Sequence, residues 1–342
     1  MKKIICFVFA VMMILSCLTG LAAPAQKELN VVTTIFPIYD WVREIAGDTL
    51  SGISLTMLLD SGTDLHSYQP TAQDILKIST ADLFIHVGGE SDKWVSAVLA
   101  AAMNPDVREI SLVEAMGEDI KIEEIVEGME HEHDHDHEEE DEHDHEGEDH
   151  DHEEHDHDHE HEEEADEHVW LSLRNAEKLV YVISEAMAEI DPENADVYRS
   201  NTVSYIEKLA ALDAEYAEAV ESAACGTLLF GDRFPFRYLA DDYGLDYFAA
   251  FSGCSAESEA SFQTIMFLAQ KVDELDLPAV LTIEHPKARI AETIISTTQK
   301  KDQKILSMDS MQGTTSSDVQ AGATYYGIME SNLAVLKEAL NR

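Results

Sequence analysis

From residue 130 to residue 167 the chain carries no Lys or Arg, twelve His and twenty-four Asp or Glu. Such a stretch contains almost nothing apolar to offset the entropy of ordering it, so it cannot be part of a packed core. The rest of the chain must therefore fold on either side of it. His131, His133, His135, His137, His143, His145, His150, His152, His155, His157, His159 and His161 alternate with carboxylates through the stretch. Imidazole and carboxylate together suit zinc and its borderline neighbours, and a flexible chain with a ligand at nearly every position can wrap tetrahedral sites without preformed geometry. An acidic spacer would need only Asp and Glu, whereas twelve of the sixteen histidines of the protein fall here. Residues 130–167 are read as a disordered, accessory metal-binding loop.

Lys2 and Lys3 precede an apolar run over 4–21, and Ala22, Ala23, Pro24 and Ala25 follow it. That is the layout of a secretory signal over 1–25, so the chain is expected to be exported. Two processing routes stay open. Ala23-Pro24-Ala25 fits an ordinary signal peptidase, while Ile14-Leu15-Ser16-Cys17 is an imperfect lipobox that would leave Cys17 lipidated. The expected location is the periplasm or, lipid-anchored, the outer face of the cytoplasmic membrane. A spanning helix is the competing reading of the same run, and nothing downstream resembles a second span. With Cys6 and Cys17 in the signal, Cys225 and Cys254 remain in a compartment that permits disulfides, where a bonded pair and two free thiols are both open. A formal net charge of −47 makes nucleic acid and anionic membranes poor partners and cations good ones.

Outside the loop, short β-type runs alternate with amphipathic helices, the signature of parallel α/β layers. Strands are expected over 30–34, 53–59, 82–87 and 107–111, and again over 227–230, 245–251, 279–283 and 304–308. Four and four suggests two lobes built alike. Between them Ala176, Leu179, Val180, Ile183, Met187 and Ile190 recur at helical spacing until Asp191-Pro192, and a second helix carries Tyr198, Tyr205, Leu209, Leu212, Tyr216 and Val220 on one face. Both stripes read as core and lobe-bridging surface.

Ligands of open parallel sheets gather beyond the carboxyl ends of the strands. That rule selects His66 after the second strand, His168 where an ordered segment resumes, Asp232 after the fifth, Glu284 and His285 after the seventh, and Asp309 after the eighth. Two imidazoles from one lobe and carboxylates from the other would close a site around one divalent cation. His86, within Phe84-Ile85-His86-Val87, reads as a core histidine with its hydrogen bonds satisfied. No nucleophile–base pair, phosphate loop or His-Glu-x-x-His helix occurs, so the chain does not read as an enzyme.

Val31-Val32-Thr33-Thr34-Ile35-Phe36-Pro37 with Ile45-Ala46-Gly47-Asp48, the loop from Gly62 to Pro70 around His66, Ala81-Asp82-Leu83 before Gly88, His168-Val169-Trp170-Leu171-Ser172, and Lys304-Ile305-Leu306-Ser307-Met308-Asp309 stand in one order along the chain. Together they resemble the cluster A-I solute-binding proteins of bacterial ABC transporters for zinc and manganese. The resemblance implies an α/β fold of two similar lobes, each with a four-stranded parallel sheet flanked by helices. A long rigid linking helix joins them, with the metal site between the lobes. The corresponding segments are 28–129 for the first lobe, 168–192 for the second-ligand segment and linking helix, and 193–342 for the second lobe. It also implies His66, His168 and Asp309 as metal ligands. One position departs from the pattern: five residues before Tyr238, where the family carries a His or Glu ligand, stands Arg233, which cannot coordinate a cation. Asp232, Glu284, His285 or a water is left to complete the shell, or Arg233 pairs with a carboxylate lining the cleft and holds the lobes together.

The implied function is high-affinity capture of Zn2+ between two lobes and delivery to the membrane subunit of an ABC permease, by a monomer. Zinc is favoured over Mn2+ because the histidines of the loop disfavour an ion that prefers oxygen. Manganese or another divalent metal, and an extracellular buffer or adhesin without transport, are the alternatives. A zinc hydrolase would need an open water position and a base, for which only Glu284 offers itself. Binding by the loop requires neutral imidazole, of reference pKa ~6.5, so metal retained by residues 130–167 should be lost steeply below about pH 6 in an equilibrium dialysis series.

Overall fold

Each expected run forms a strand, and the sheet order is the same on both sides of the histidine-rich stretch. The computed structural model describes residues 28–129, 164–255, 259–283 and 288–341. The signal with Cys6 and Cys17, all twelve histidines of the accessory loop, and Glu284 and His285 lie outside the described residues. The first lobe runs β1 (Leu29–Thr33), α1 (Phe36–Ala46), β2 (Ile53–Met57), α2 (Ala72–Ser79), β3 (Leu83–His86), α3 (Val95–Ala100), β4 (Arg108–Ser111) and α4 (Leu112–Met116). Two long helices follow, α5 (Leu173–Ile190) and α6 (Ala195–Glu221). The second lobe runs β5 (Thr227–Phe234), α7 (Arg237–Tyr243), β6 (Asp246–Ser252), α8 (Phe262–Glu274), β7 (Ala279–Ile283), α9 (Arg289–Thr297), β8 (Lys304–Met308), α10 (Ser316–Gln320) and α11 (Tyr325–Ala339). No helix among the described residues is long and apolar enough to cross a membrane.

Both sheets are parallel, ordered β2-β1-β3-β4 and β6-β5-β7-β8. The order reverses beside β1 in one lobe and β5 in the other, and the crevice beyond the carboxyl ends at such a reversal is where ligands bind. The fifth strand is longer than the sequence suggests. Gly231-Asp232-Arg233-Phe234 continues it after a register shift between Phe230 and Arg233, so Asp232 lies within the strand and not after it. A bulge of this kind bends the strand and re-aims the side chains beyond it, here that of Arg233. Gly231 is required at the bend, because a Cβ there would come within 2.8 Å of the Ala291 backbone in α9.

The two long helices are amphipathic, as their spacing predicts, and join the lobes into one core. Ser172 caps α5, accepting from the Asn175 N–H at 3.0 Å. The 27 residues of α6 reach both lobes: Asn201 donates to the Ile45 carbonyl at 2.9 Å and the Tyr216 hydroxyl to the Met329 carbonyl at 2.6 Å. Trp41 on α1 meets Tyr325 on α11 edge to face at 5.2 Å, both fully buried. A single apolar cluster therefore runs through both lobes, with a smaller one behind β5 and β6. Close packing of this kind resists sliding, which limits how far the lobes can move apart.

One boundary differs from the sequence reading, and one open alternative is decided. Residues 164–167, assigned above to the disordered loop, are ordered: Ile122 and Ala165 form an antiparallel bridge, and Asp166 and Glu167 are buried. Charge composition alone assigned them to the loop, whereas hydrogen bonds give both carboxylates a place inside. The two cysteines are free thiols. Cys225 precedes β5 and Cys254 follows β6, at opposite ends of neighbouring parallel strands, so a bond between them is out of reach.

Asp40 ties the lobes together from inside the core. Its carboxylate accepts from the Tyr325 N–H at 2.7 Å and from Arg43 at 2.9 Å. Burial raises its pKa to about 6, against the opposing pull of those two partners. An acid raised on folding gives a contribution that is complete below its unfolded value of 3.8 and lost as pH rises through about 6. Between pH 4 and 6 the wild type should lose on the order of 2 kcal/mol of unfolding free energy relative to Asp40→Asn, measured by denaturant titration.

Candidate metal centre

His66 and His168 come together from distant points in the sequence. The loop after β2 forms a short 3-10 turn, Leu65–Ser67, and Asp64 caps it by accepting from the His66 N–H at 3.0 Å. His168 caps another such turn, Val169–Leu171, with its own N–H bonded to Asp166 at 2.9 Å. Trp170 donates its indole N–H to the Ser310 carbonyl at 2.9 Å and Tyr325 donates to the Trp170 carbonyl at 2.7 Å, so the second-ligand segment is held by the second lobe.

The two imidazoles point their Nε2 atoms at one another, 3.3 Å apart. Each Nδ1 is already engaged. His66 Nδ1 lies 2.9 Å from the Ser91 hydroxyl, which itself donates to Glu167, and 3.4 Å from the Glu167 carboxylate. His168 Nδ1 lies 3.0 Å from Asp166. Partners that only accept require an N–H at both Nδ1 positions, leaving two Nε2 lone pairs facing one point. Two nitrogens bound to one tetrahedral zinc at ~2.0–2.1 Å stand about 3.3 Å apart, which matches the observed separation. Burial alone would raise the Glu167 pKa, but hydrogen bonds from His66 and Ser91 outweigh it and hold the carboxyl below its ordinary range.

The third group is one that the sequence reading assigned elsewhere. Ligand atoms of His66, His168 and Cys254 all lie within 4.8 Å of one another, and this is the only such trio among the described residues. Burial first, then the negative charges of Glu123, Asp166 and Glu167, push the Cys254 thiol far above its ordinary value. Cys254 follows the sixth strand in the position that His66 takes after the second, so the rule that selected His66 also points to it. Weighing it only as a disulfide partner or a free thiol hid the signal. Asp166, Glu167 and Ser91 were likewise missed, since acidic residues at the end of an acidic run carry no distinguishing mark.

Of the other expected ligands, Asp309 follows β8 and its carboxylate accepts from the Met311 N–H at 2.7 Å, outside the trio. Asp232 also lies outside it, accepting from the Arg233 N–H at 2.9 Å and the Ile283 N–H at 3.2 Å. Glu284 and His285 lie outside the described residues. Arg233 crosses the cleft, donating to Asp64 at 2.7 Å and to the Ser255 carbonyl at 3.3 Å. Burial would raise the Asp64 pKa, yet the guanidinium beside it holds the carboxyl below the usual range. His86 is a core residue, bonded to Asp92 at 3.3 Å and Glu109 at 2.9 Å.

A family model described as "Zinc-uptake complex component A periplasmic" matches residues 31–339. The chain is 30% identical over 318 residues to the zinc-binding lipoprotein AdcA of Streptococcus pneumoniae, covering 93% of this chain but only 57% of that protein. It is 29% identical over 321 residues to the high-affinity zinc uptake system protein ZnuA of Bacillus subtilis, covering 94% and 90%. The Zn(II)-bound ZnuA-like domain of the S. pneumoniae AdcA superposes with a TM-score of 0.67 at 26% identity, over 92% of this chain and all of that one.

Outer partners of metal-bound histidines typically control affinity by ten- to a hundredfold. Glu167→Gln should therefore weaken metal binding by about that factor while leaving the far-ultraviolet circular dichroism unchanged, as read by competition with a chromophoric chelator.

Proposed function

Because this chain belongs to the family of zinc-uptake complex component A periplasmic proteins, we propose that it captures Zn2+ between its two lobes outside the cytoplasmic membrane and hands it to an ABC permease. The observation that carries the reading is the pair of Nε2 atoms 3.3 Å apart, each imidazole held at Nδ1 by a carboxylate network. Neutral imidazole suits zinc and its borderline neighbours, whereas manganese prefers oxygen. The relative AdcA is zinc-binding by name, and the relative ZnuA is named as a protein of a high-affinity zinc uptake system. Capture and release make and break no covalent bond in a substrate, so the protein acts as a carrier and not as an enzyme. Asp309 enters this proposal as a further ligand on the strength of the resemblance.

The histidine-rich stretch is proposed to collect ions and pass them on. Its C-terminal stem leads within three residues from Ala165 to His168, and the bridge between Ile122 and Ala165 anchors that stem beside the two imidazoles. A ligand-dense, acidic segment raises the local concentration of cations at the mouth of the site. Metal bound there is weaker than at a preorganised centre, because ordering the segment costs conformational entropy.

Zinc and manganese titrations of a chain in which a short Gly-Ser linker replaces residues 130–163 test the reading. One tight site that prefers zinc should survive the deletion, and His66→Ala should weaken it by at least about a hundredfold. Loss of all tight binding on deletion would mean that the cleft holds no metal and would overturn the proposal.

A further inference from the structure

We propose that Cys254 is the protein ligand that takes the place of the one expected at Arg233, so that the captured ion is held by two imidazoles and a thiolate, beside the Asp309 carboxylate of the reading above. The inference rests on the capture reading above and concerns how that site chooses its metal. The position from which a third His or Glu was expected is taken by Arg233, and its guanidinium is committed to Asp64 and the Ser255 carbonyl. A cation cannot approach a fixed guanidinium closely, so the remaining ligand has to arrive from another strand end.

The end of β6 supplies it, and several contacts aim the sulfur. Arg233 holds the backbone at Ser255, one residue beyond Cys254. The Cys254 N–H donates to Glu123 at 2.8 Å. Gly253 lets the strand lie against the second ligand: a Cβ there would come within 2.9 Å of the His168 ring carbon and 3.1 Å of its Nδ1. The resulting sulfur is within 4.8 Å of a ring nitrogen of each imidazole. In a tetrahedral site with Zn–N of ~2.0–2.1 Å and Zn–S of ~2.3 Å, sulfur and nitrogen stand about 3.6 Å apart, so a contraction of about 1 Å at most completes the geometry. The thiol proton leaves to solvent as the metal binds, and the carboxylates of Glu123, Asp166 and Glu167 around the sulfur offset the positive charge of the ion.

A thiolate changes selectivity more than another imidazole would. Sulfur favours zinc, cadmium and cobalt and disfavours manganese, which takes oxygen. The site thereby discriminates against manganese without a third histidine.

Cobalt(II) and cadmium(II) make the bond visible. The test uses the full chain with Cys6, Cys17 and Cys225 replaced by Ser, in which every thiol signal comes from residue 254, alongside Cys254→Ser and Cys254→Asp in the unaltered chain. Cobalt should produce a sulfur-to-metal charge-transfer band in the near ultraviolet with tetrahedral visible bands, at one equivalent. The band should vanish in Cys254→Ser, with zinc affinity reduced at least ten- to a hundredfold. Cys254→Asp should retain metal, lose the band and narrow the gap between zinc and manganese. Tight cobalt and zinc binding without the charge-transfer band would overturn the thiolate ligand and leave the capture reading standing. Absence of any tight site would overturn both.

Discussion

The candidate metal centre depends on two buried carboxylates that hold two imidazoles by Nδ1 and leave Nε2 available. Asp166 and Glu167 are consecutive, and each serves a different histidine. By fixing Nδ1 as a donor, they keep both Nε2 lone pairs turned to a common point, an arrangement that a cation between them stabilises. Burying two carboxylates is costly unless each oxygen has partners. Here backbone N–H groups of Ser91 and His168, the Ser91 hydroxyl and the two imidazoles supply them. The order of residues 166–168 follows from this network together with the burial of Val169, Trp170 and Leu171 next to it.

Arg233 links that network to the second lobe. Its partner Asp64 uses one carboxylate oxygen to cap the turn carrying His66 and the other to accept from the guanidinium. Arg233, at the position where a metal ligand is missing, thus acts on the loop of His66 through one intermediary, with the charge pair across the cleft that the sequence offered as an alternative. Such a pair in a partly exposed setting contributes modestly to stability. Its geometric effect is larger, because it holds the first ligand loop and the backbone next to Cys254 at fixed positions relative to each other.

The shared core explains why a carrier of this kind need not open widely. α6 reaches into both lobes, and Trp41, Tyr325 and Asp40 join α1 to α11 in the interior. On the proposed capture role, an ion would then reach the cleft by local rearrangement of the turns around His66 and Cys254 and not by separating two closely packed surfaces.

The architecture was legible in the sequence because strand and helix periodicities are local. Each of the eight expected strands formed, and Ala279–Ile283 and Lys304–Met308 match their expected bounds. That His66 and His168 would meet was legible, the first from the loop after a parallel strand and the second from where ordered sequence resumes after the acidic stretch. The extension of β5 was not, since a register shift at Gly231 depends on the approach of α9 and leaves no periodic trace. Nor were the positions of Cys254, Asp166 and Glu167, whereas the pairing of Arg233 with a cleft carboxylate was among the alternatives the sequence left open. Sequence alone determined two lobes, a stretch that cannot pack and an exported, cation-seeking character, all of which follow from composition and short-range pattern. Only the tertiary structure decided which groups share the cleft, because residues separated by up to 188 positions, from His66 to Cys254, meet there through packing and long-range hydrogen bonds that no local pattern encodes.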